Sequence, residues 1–122
     1  HFARAALESV AYQTYDLIEV MRADGIEATG MRVDGGMVSN NWLLQFIADI
    51  IDKQIDRPIV TETTAWGVAV LALLGSKQIS SLETAAHLWK LDQNFRPDMK
   101  TSDRTVLLSG WRTALKRTLI DC

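Results

Sequence analysis

Val33-Asp34-Gly35-Gly36-Met37-Val38-Ser39-Asn40-Asn41 constrains this chain more than any other stretch, because a short apolar strand there runs into two glycines and then into an amphipathic helix. Lacking Cβ atoms, Gly35 and Gly36 can take positive φ and let a ligand rest directly on the main chain. The free N–H groups at the start of the following helix favour anionic groups at that point. Asn40, near the helix start, adds a donor and an acceptor. The pattern is neither a P-loop nor a dinucleotide fingerprint, so a tight strand-to-helix turn with no ligand fits the same residues until more context is added.

Hydrophobic periodicity supplies that context. Leu7, Val10, Ala11, Thr14, Leu17, Ile18 and Met21 recur at spacings of three and four, which predicts a helix ending before Asp24-Gly25. Met31 and Val33 alternate with Arg32 in a short strand. Trp42, Leu43, Phe46, Ile47, Ile50 and Ile51 form a second helical stripe. Gln54 to Val60 reads as another strand, with Pro58 at a sheet edge or strand end because it has no N–H for a ladder. From Thr64 to Leu74 almost no polar face remains, as expected of a helix buried on several sides. Ser80-Ser81-Leu82-Glu83 predicts a capping box with Ser80 as cap, followed by a helix with Leu82, Ala85, Ala86 and Trp89 inward. Asn94 to Asp98 reads as a surface connection. A last helix from about Ser102 carries Leu107, Trp111, Ala114 and Leu115 on one side, with Arg112, Lys116 and Arg117 solvated near its end.

The predicted order, helix, strand, helix, strand, helix, helix, helix, is an α/β arrangement with short strands. Two strands are marginal alone, so they are expected to join others upstream in a longer polypeptide or to pair across an interface. The opening His1-Phe2-Ala3-Arg4, which lacks Met and leads at once into a helix, fits a segment of a longer chain.

Composition narrows the function. At 122 residues, 48% of them hydrophobic, the chain amounts to one domain with a packed core. A net charge of −2 without a basic stripe argues against a nucleic-acid surface. The single Cys122 allows no internal disulfide and fits a reducing compartment. No apolar run approaches the ~18–20 residues of a membrane span, so a cytoplasmic location is expected. His1 and His87 are too isolated for a metal site or a triad, and His87 is expected on a helix surface or partly in the core. Trp42, Trp66, Trp89 and Trp111 are expected in the core. Tyr12 and Gln13 fit a lobe interface or a helix surface.

The segments His1 to Thr14, Arg32-Val33-Asp34-Gly35-Gly36 with Asn40-Asn41, Gln45 to Ile50, Thr61 to Ala69, Phe95-Arg96-Pro97 and Gly110-Trp111 together resemble the C-terminal part of the glycerol kinase family. The resemblance covers essentially the whole chain. Arg32-Val33-Asp34 and Ala11-Tyr12-Gln13-Thr14 favour this branch over xylulokinase-like relatives, while Trp66 departs from the smaller aliphatic residue usual there. It implies the ribonuclease-H-like (actin-like ATPase) fold, with residues 1–122 as the C-terminal nucleotide-binding lobe portion of a two-lobed carbohydrate kinase.

Such a kinase transfers the terminal phosphoryl group of ATP to glycerol, with Mg2+ neutralising phosphate charge. The resemblance implies nucleotide contact by Gly36 and Asn40, with Gly35 supporting the turn. It places the phosphate hairpin, the catalytic aspartate and the glycerol-binding residues upstream, so no catalytic or metal-ligating residue is assigned here and the segment alone is expected to be inactive. Asp34 is expected to stabilise the turn and not to act as a base. ATP or ADP and glycerol are the implied partners, and the incomplete sheet makes a homo-oligomer the expected assembly. The competing reading is a non-catalytic binding or assembly module built on an actin-like half-fold.

Overall fold

A computed structural model describes residues 1–119; Cys122 lies outside the described residues. The elements are α1 (Phe2–Ala23), β1 (Gly30–Arg32), a 3-10 helix (Gly36–Ser39), α2 (Asn41–Ile51), β2 (Gln54–Pro58), α3 (Thr63–Gly75), α4 (Leu82–Ala86), β3 (Leu91–Phe95) and α5 (Thr101–Thr118). The helix α1 ends as its sequence predicts. Gly25 at φ 83° donates to the Arg22 carbonyl and Ile26 to that of Met21, which satisfies two orphan carbonyls of the last turn.

The strands form a three-stranded sheet in the order β1-β2-β3, with β1 parallel and β3 antiparallel to β2. The 3-10 helix and α2 make the crossover between the two parallel strands. Pro58 is the last residue of β2, so the predicted strand end holds, although β2 itself is the central strand. Between Arg57 and Pro58 the register slips: Arg57 pairs with Gln93 and Pro58 with Leu91, leaving Asp92 as the extra residue of a bulge.

The core is built around α2. Leu43, Leu44 and Ile50 of α2 and Ile55 of β2 are fully buried beside Phe46 and Ile47 of α2, and Ala11, Tyr12, Ile18, Phe95 and Leu108 close over them from α1, β3 and α5. Each such aliphatic side chain contributes roughly 1.5–3 kcal/mol by leaving water. Tyr12 is buried and not on the helix surface, while Gln13 is exposed there. Tyr12 stacks on Trp111 at 5.3 Å and meets Phe46 edge-on at 5.8 Å, and burial together with the Glu8 carboxylate pushes its phenol above the ordinary value. Trp111 in turn donates its Nε1 hydrogen to Asp16 at 2.7 Å, tying α5 to α1.

Several expectations need correction. Asn94-Phe95 is not connecting surface but the end of β3, and Phe95 is buried. The cap of α4 is Ser81, which accepts from the Thr84 N–H, and not Ser80; Leu82 is exposed and Ala85 is the buried residue of that helix. The helix α3 has no buried residue, with Val68 and Leu71 more than 60% exposed. Trp66, Val70, Leu73 and Leu74 are half-buried, and the rest of its apolar surface is open among the described residues. Trp42 is 44% exposed, and Trp66, Trp89 and Trp111 are half-buried. Arg112 is exposed, as expected, and its Nη2 reaches the Tyr15 hydroxyl at 3.4 Å on the surface. His87 lies exposed at the end of α4, as expected of a helix surface. Among the described residues no helix is long and apolar enough to cross a membrane.

Candidate nucleotide site

The glycine turn lies where β1 leaves the sheet. Val33 N–H still donates to the Asp56 carbonyl, and two residues later Gly35 N–H donates to the Thr61 carbonyl at 2.8 Å. That second bond brings the turn against the loop leading into α3, so two separate segments of the sequence meet at this corner. Gly35 has φ 86° and ψ 177°, a region open essentially only to glycine. A Cβ there meets no neighbouring atom within 4 Å, so backbone strain alone penalises a side chain. Gly35→Ala is expected to cost about 1–2 kcal/mol, read as a lowered denaturation midpoint.

Gly36 differs from expectation. It does not take positive φ but opens the 3-10 helix Gly36–Ser39, which intervenes between the glycines and α2. The glycine is exposed, and a Cβ built on it also meets nothing within 4 Å. The space in front of the turn is therefore open, with main chain as its floor.

Asn40 stands at the other end of the 3-10 helix as N-cap of α2. Its Oδ1 accepts from the Leu43 N–H at 3.1 Å, and its own carbonyl accepts from Leu44. That bond uses one lone pair of Oδ1, while the Nδ2 donor has no partner among the described residues. Asp34 is exposed and makes no side-chain hydrogen bond to any described residue, so the turn is held by backbone bonds and not by that carboxylate.

Two residues that sequence patterns do not mark hold the region together. Arg57 of β2 reaches under the 3-10 helix, donating from Nη1 to the Val38 carbonyl at 2.9 Å and to Asn41 Oδ1 at 2.7 Å. Asp49, the buried carboxylate of α2, accepts at Oδ1 from the Asp98 and Met99 N–H groups and from Gln45 Nε2. No periodicity announces either role, since each depends on partners distant in sequence.

Elsewhere, a cavity of about 400 Å³ opens between α1, α2 and α5. Four of its charged residues pair, Arg22 with Glu19 and Arg104 with Asp52 at 2.6 Å, while Glu27 and Lys53 also line it and form no ion pair among the described residues. Among the described residues no group of three or more His, Cys, Asp or Glu stands together, so none is assigned to a metal ion.

Residues 1–76 match the C-terminal domain of the FGGY family of carbohydrate kinases. More than half of the chain is covered, including the whole glycine turn, and the chain belongs to this family. Within it, the chain is 49% identical over 118 residues to the glycerol kinase of Rhodospirillum centenum, covering 97% of this chain and 24% of that protein. It is 49% identical over 120 residues to that of Saccharolobus islandicus, covering 98% of this chain and 24% of the relative. The chain thus spans about a quarter of the length of the curated relatives it matches.

The solved structure of Plasmodium falciparum glycerol kinase with ADP superposes with TM-score 0.80 at 36% identity, over 98% of this chain and 24% of that one. A xylulose kinase of Rhodospirillum rubrum, at 20% identity and TM-score 0.73 over 96% of this chain and 25% of its own, shares the fold. The α/β, actin-like ATPase architecture expected from the sequence is the architecture observed.

Proposed function

We propose that residues 1–122 are the C-terminal, nucleotide-binding portion of a glycerol kinase, an enzyme that transfers the terminal phosphoryl group of ATP to glycerol and yields glycerol 3-phosphate. The observation that carries the site assignment is the open floor at Gly36, exposed main chain where an added Cβ would meet nothing within 4 Å, one short 3-10 helix away from Asn40. Identity to named glycerol kinases along nearly the whole chain supports the substrate assignment.

In this reading Gly35 sets the turn, Gly36 lets the nucleotide lie on backbone, and Asn40 donates from Nδ2. These residues orient the nucleotide, a contribution of positioning and not of proton transfer. Mg2+ supplies charge neutralisation on the phosphates, and no residue of this chain is assigned to it. The phosphate hairpin, the base and the glycerol contacts belong to the rest of the kinase, so this portion alone has no activity. Its exposed α3 is covered by that remainder. Cytoplasmic location and homo-oligomeric assembly belong to the same proposal, the latter supported by the two open edges of the sheet.

Asn40→Asp in the whole kinase tests the site. Aspartate caps a helix as well as asparagine does, so stability holds, but it removes the Nδ2 donor and sets a negative charge beside an anionic ligand. KM for ATP is expected to rise about tenfold or more, with KM for glycerol little changed. Unchanged affinity for ATP overturns the assignment.

A further inference from the structure

We propose that Arg57 is a positioning residue for the nucleotide, clamping the 3-10 helix and the first residue of α2 onto the sheet so that Gly36 and Asn40 keep their spacing. This inference rests on the reading of the Gly36–Asn40 segment as the nucleotide site.

The guanidinium is nearly withdrawn from water, 13% exposed, and four of its five N–H groups donate to protein acceptors. Nη1 holds the Val38 carbonyl and Asn41 Oδ1 on the side of the turn. Nε donates to Asp92 Oδ2 at 2.7 Å, and Nη2 donates to Gln93 Oε1 at 3.0 Å and lies 2.7 Å from the same Asp92 oxygen. The guanidinium also lies over Phe95, its Cζ 5.5 Å from the ring centroid.

With four donors committed and Nη2 also paired with the Asp92 carboxylate, Arg57 is not a phosphate ligand of the kind arginines often provide. Its hydrogen bonds all end inside the protein. Successive residues of a regular strand point to opposite faces, so Asp92 and Gln93 reach the same guanidinium only because the bulge in β3 turns one of them. On the opposite side, the Val38 carbonyl ends a 3-10 turn and the Asn41 side chain begins α2, so the two contacts fix both ends of the junction in which Asn40 lies. The planar fork bridges these acceptors at once. A lysine ammonium, a point donor on a flexible stem, cannot span them.

The test uses the whole kinase, with Arg57→Lys as the first variant. KM for ATP is expected to rise about tenfold, while KM for glycerol stays within about twofold. Amide hydrogen exchange across residues 36–41 is expected to accelerate relative to the core helix α2. Asn41→Ala, which removes one turn-side acceptor, moves both readouts in the same direction but less. Gln93→Ala, on the sheet side, leaves KM for ATP within about twofold.

An Arg57→Lys enzyme with normal KM for ATP and normal exchange at 36–41 overturns the proposal, as does a variant that loses only its active fraction, with kcat falling and KM unmoved. If Arg57→Lys does not fold, Asn41→Ala decides alone, and unchanged values there overturn it. A wild-type enzyme that does not phosphorylate glycerol removes the function proposed above, while the exchange measurement still judges the clamp.

Discussion

Gly36→Ala in the whole kinase is expected to raise KM for ATP by about tenfold to a hundredfold while moving the melting temperature by no more than about 1 °C. The separation follows from geometry. Gly36 has an ordinary φ, and its missing Cβ would meet no protein atom within 4 Å, so alanine adds no strain and no clash to the protein. Replacing glycine with alanine at a compatible position even favours the folded state by restricting the unfolded chain. The added methyl lies in the space assigned to the nucleotide, where overpacking costs about 1–3 kcal/mol. Steady-state kinetics with varied ATP beside thermal denaturation checks both halves. A variant with normal KM for ATP removes Gly36 from the site, and one that loses stability shows that the glycine is needed for the turn alone.

Asp49→Ala has the largest expected effect on folding, a loss of about 2–4 kcal/mol measured by denaturant unfolding. One carboxylate oxygen receives the Asp98 N–H at 2.8 Å, the Met99 N–H at 3.2 Å and Gln45 Nε2 at 3.0 Å. Alanine leaves two part-buried backbone donors without their acceptor, each a cost of about 1–3 kcal/mol when water cannot replace it. It also frees the segment before α5, whose Arg104 bonds to the Asp49 carbonyl and pairs with Asp52. An asparagine side chain keeps an acceptor at the same place, so Asp49→Asn is expected to cost only about 1 kcal/mol. Equal losses in the two variants would mean that the charge, and not the acceptor, is what matters.

Legibility in the sequence follows physical cause. The helices α1 and α2 show themselves because each sets an apolar stripe against a polar face, and Gly25 marks the end of α1 through a conformation that few other residues adopt. The glycine turn is visible for the same reason. The strand β3 is not, because Leu91-Asp92-Gln93-Asn94-Phe95 places three polar residues between two apolar ones, and an edge strand held by backbone bonds and by Arg57 needs no alternation. Ser80 and Ser81 offer the same oxygen one residue apart, and only the backbone decides which caps α4. Arg57 and Asp49 look like single charges in a strand and a helix. Their partners lie as far as 36 and 50 residues away, a distance at which periodicity carries no information.

The uniformly oily α3 has a consequence for how such a polypeptide matures. Its thirteen residues are mostly apolar, none is fully buried within residues 1–119, and Val68 and Leu71 stand open to water, a debt that later docking must settle. Until then the helix is a sticky handle, prone to clumping and to capture by chaperones. In the kinase proposed above, this portion is expected to become secure only after the remaining parts have closed against it.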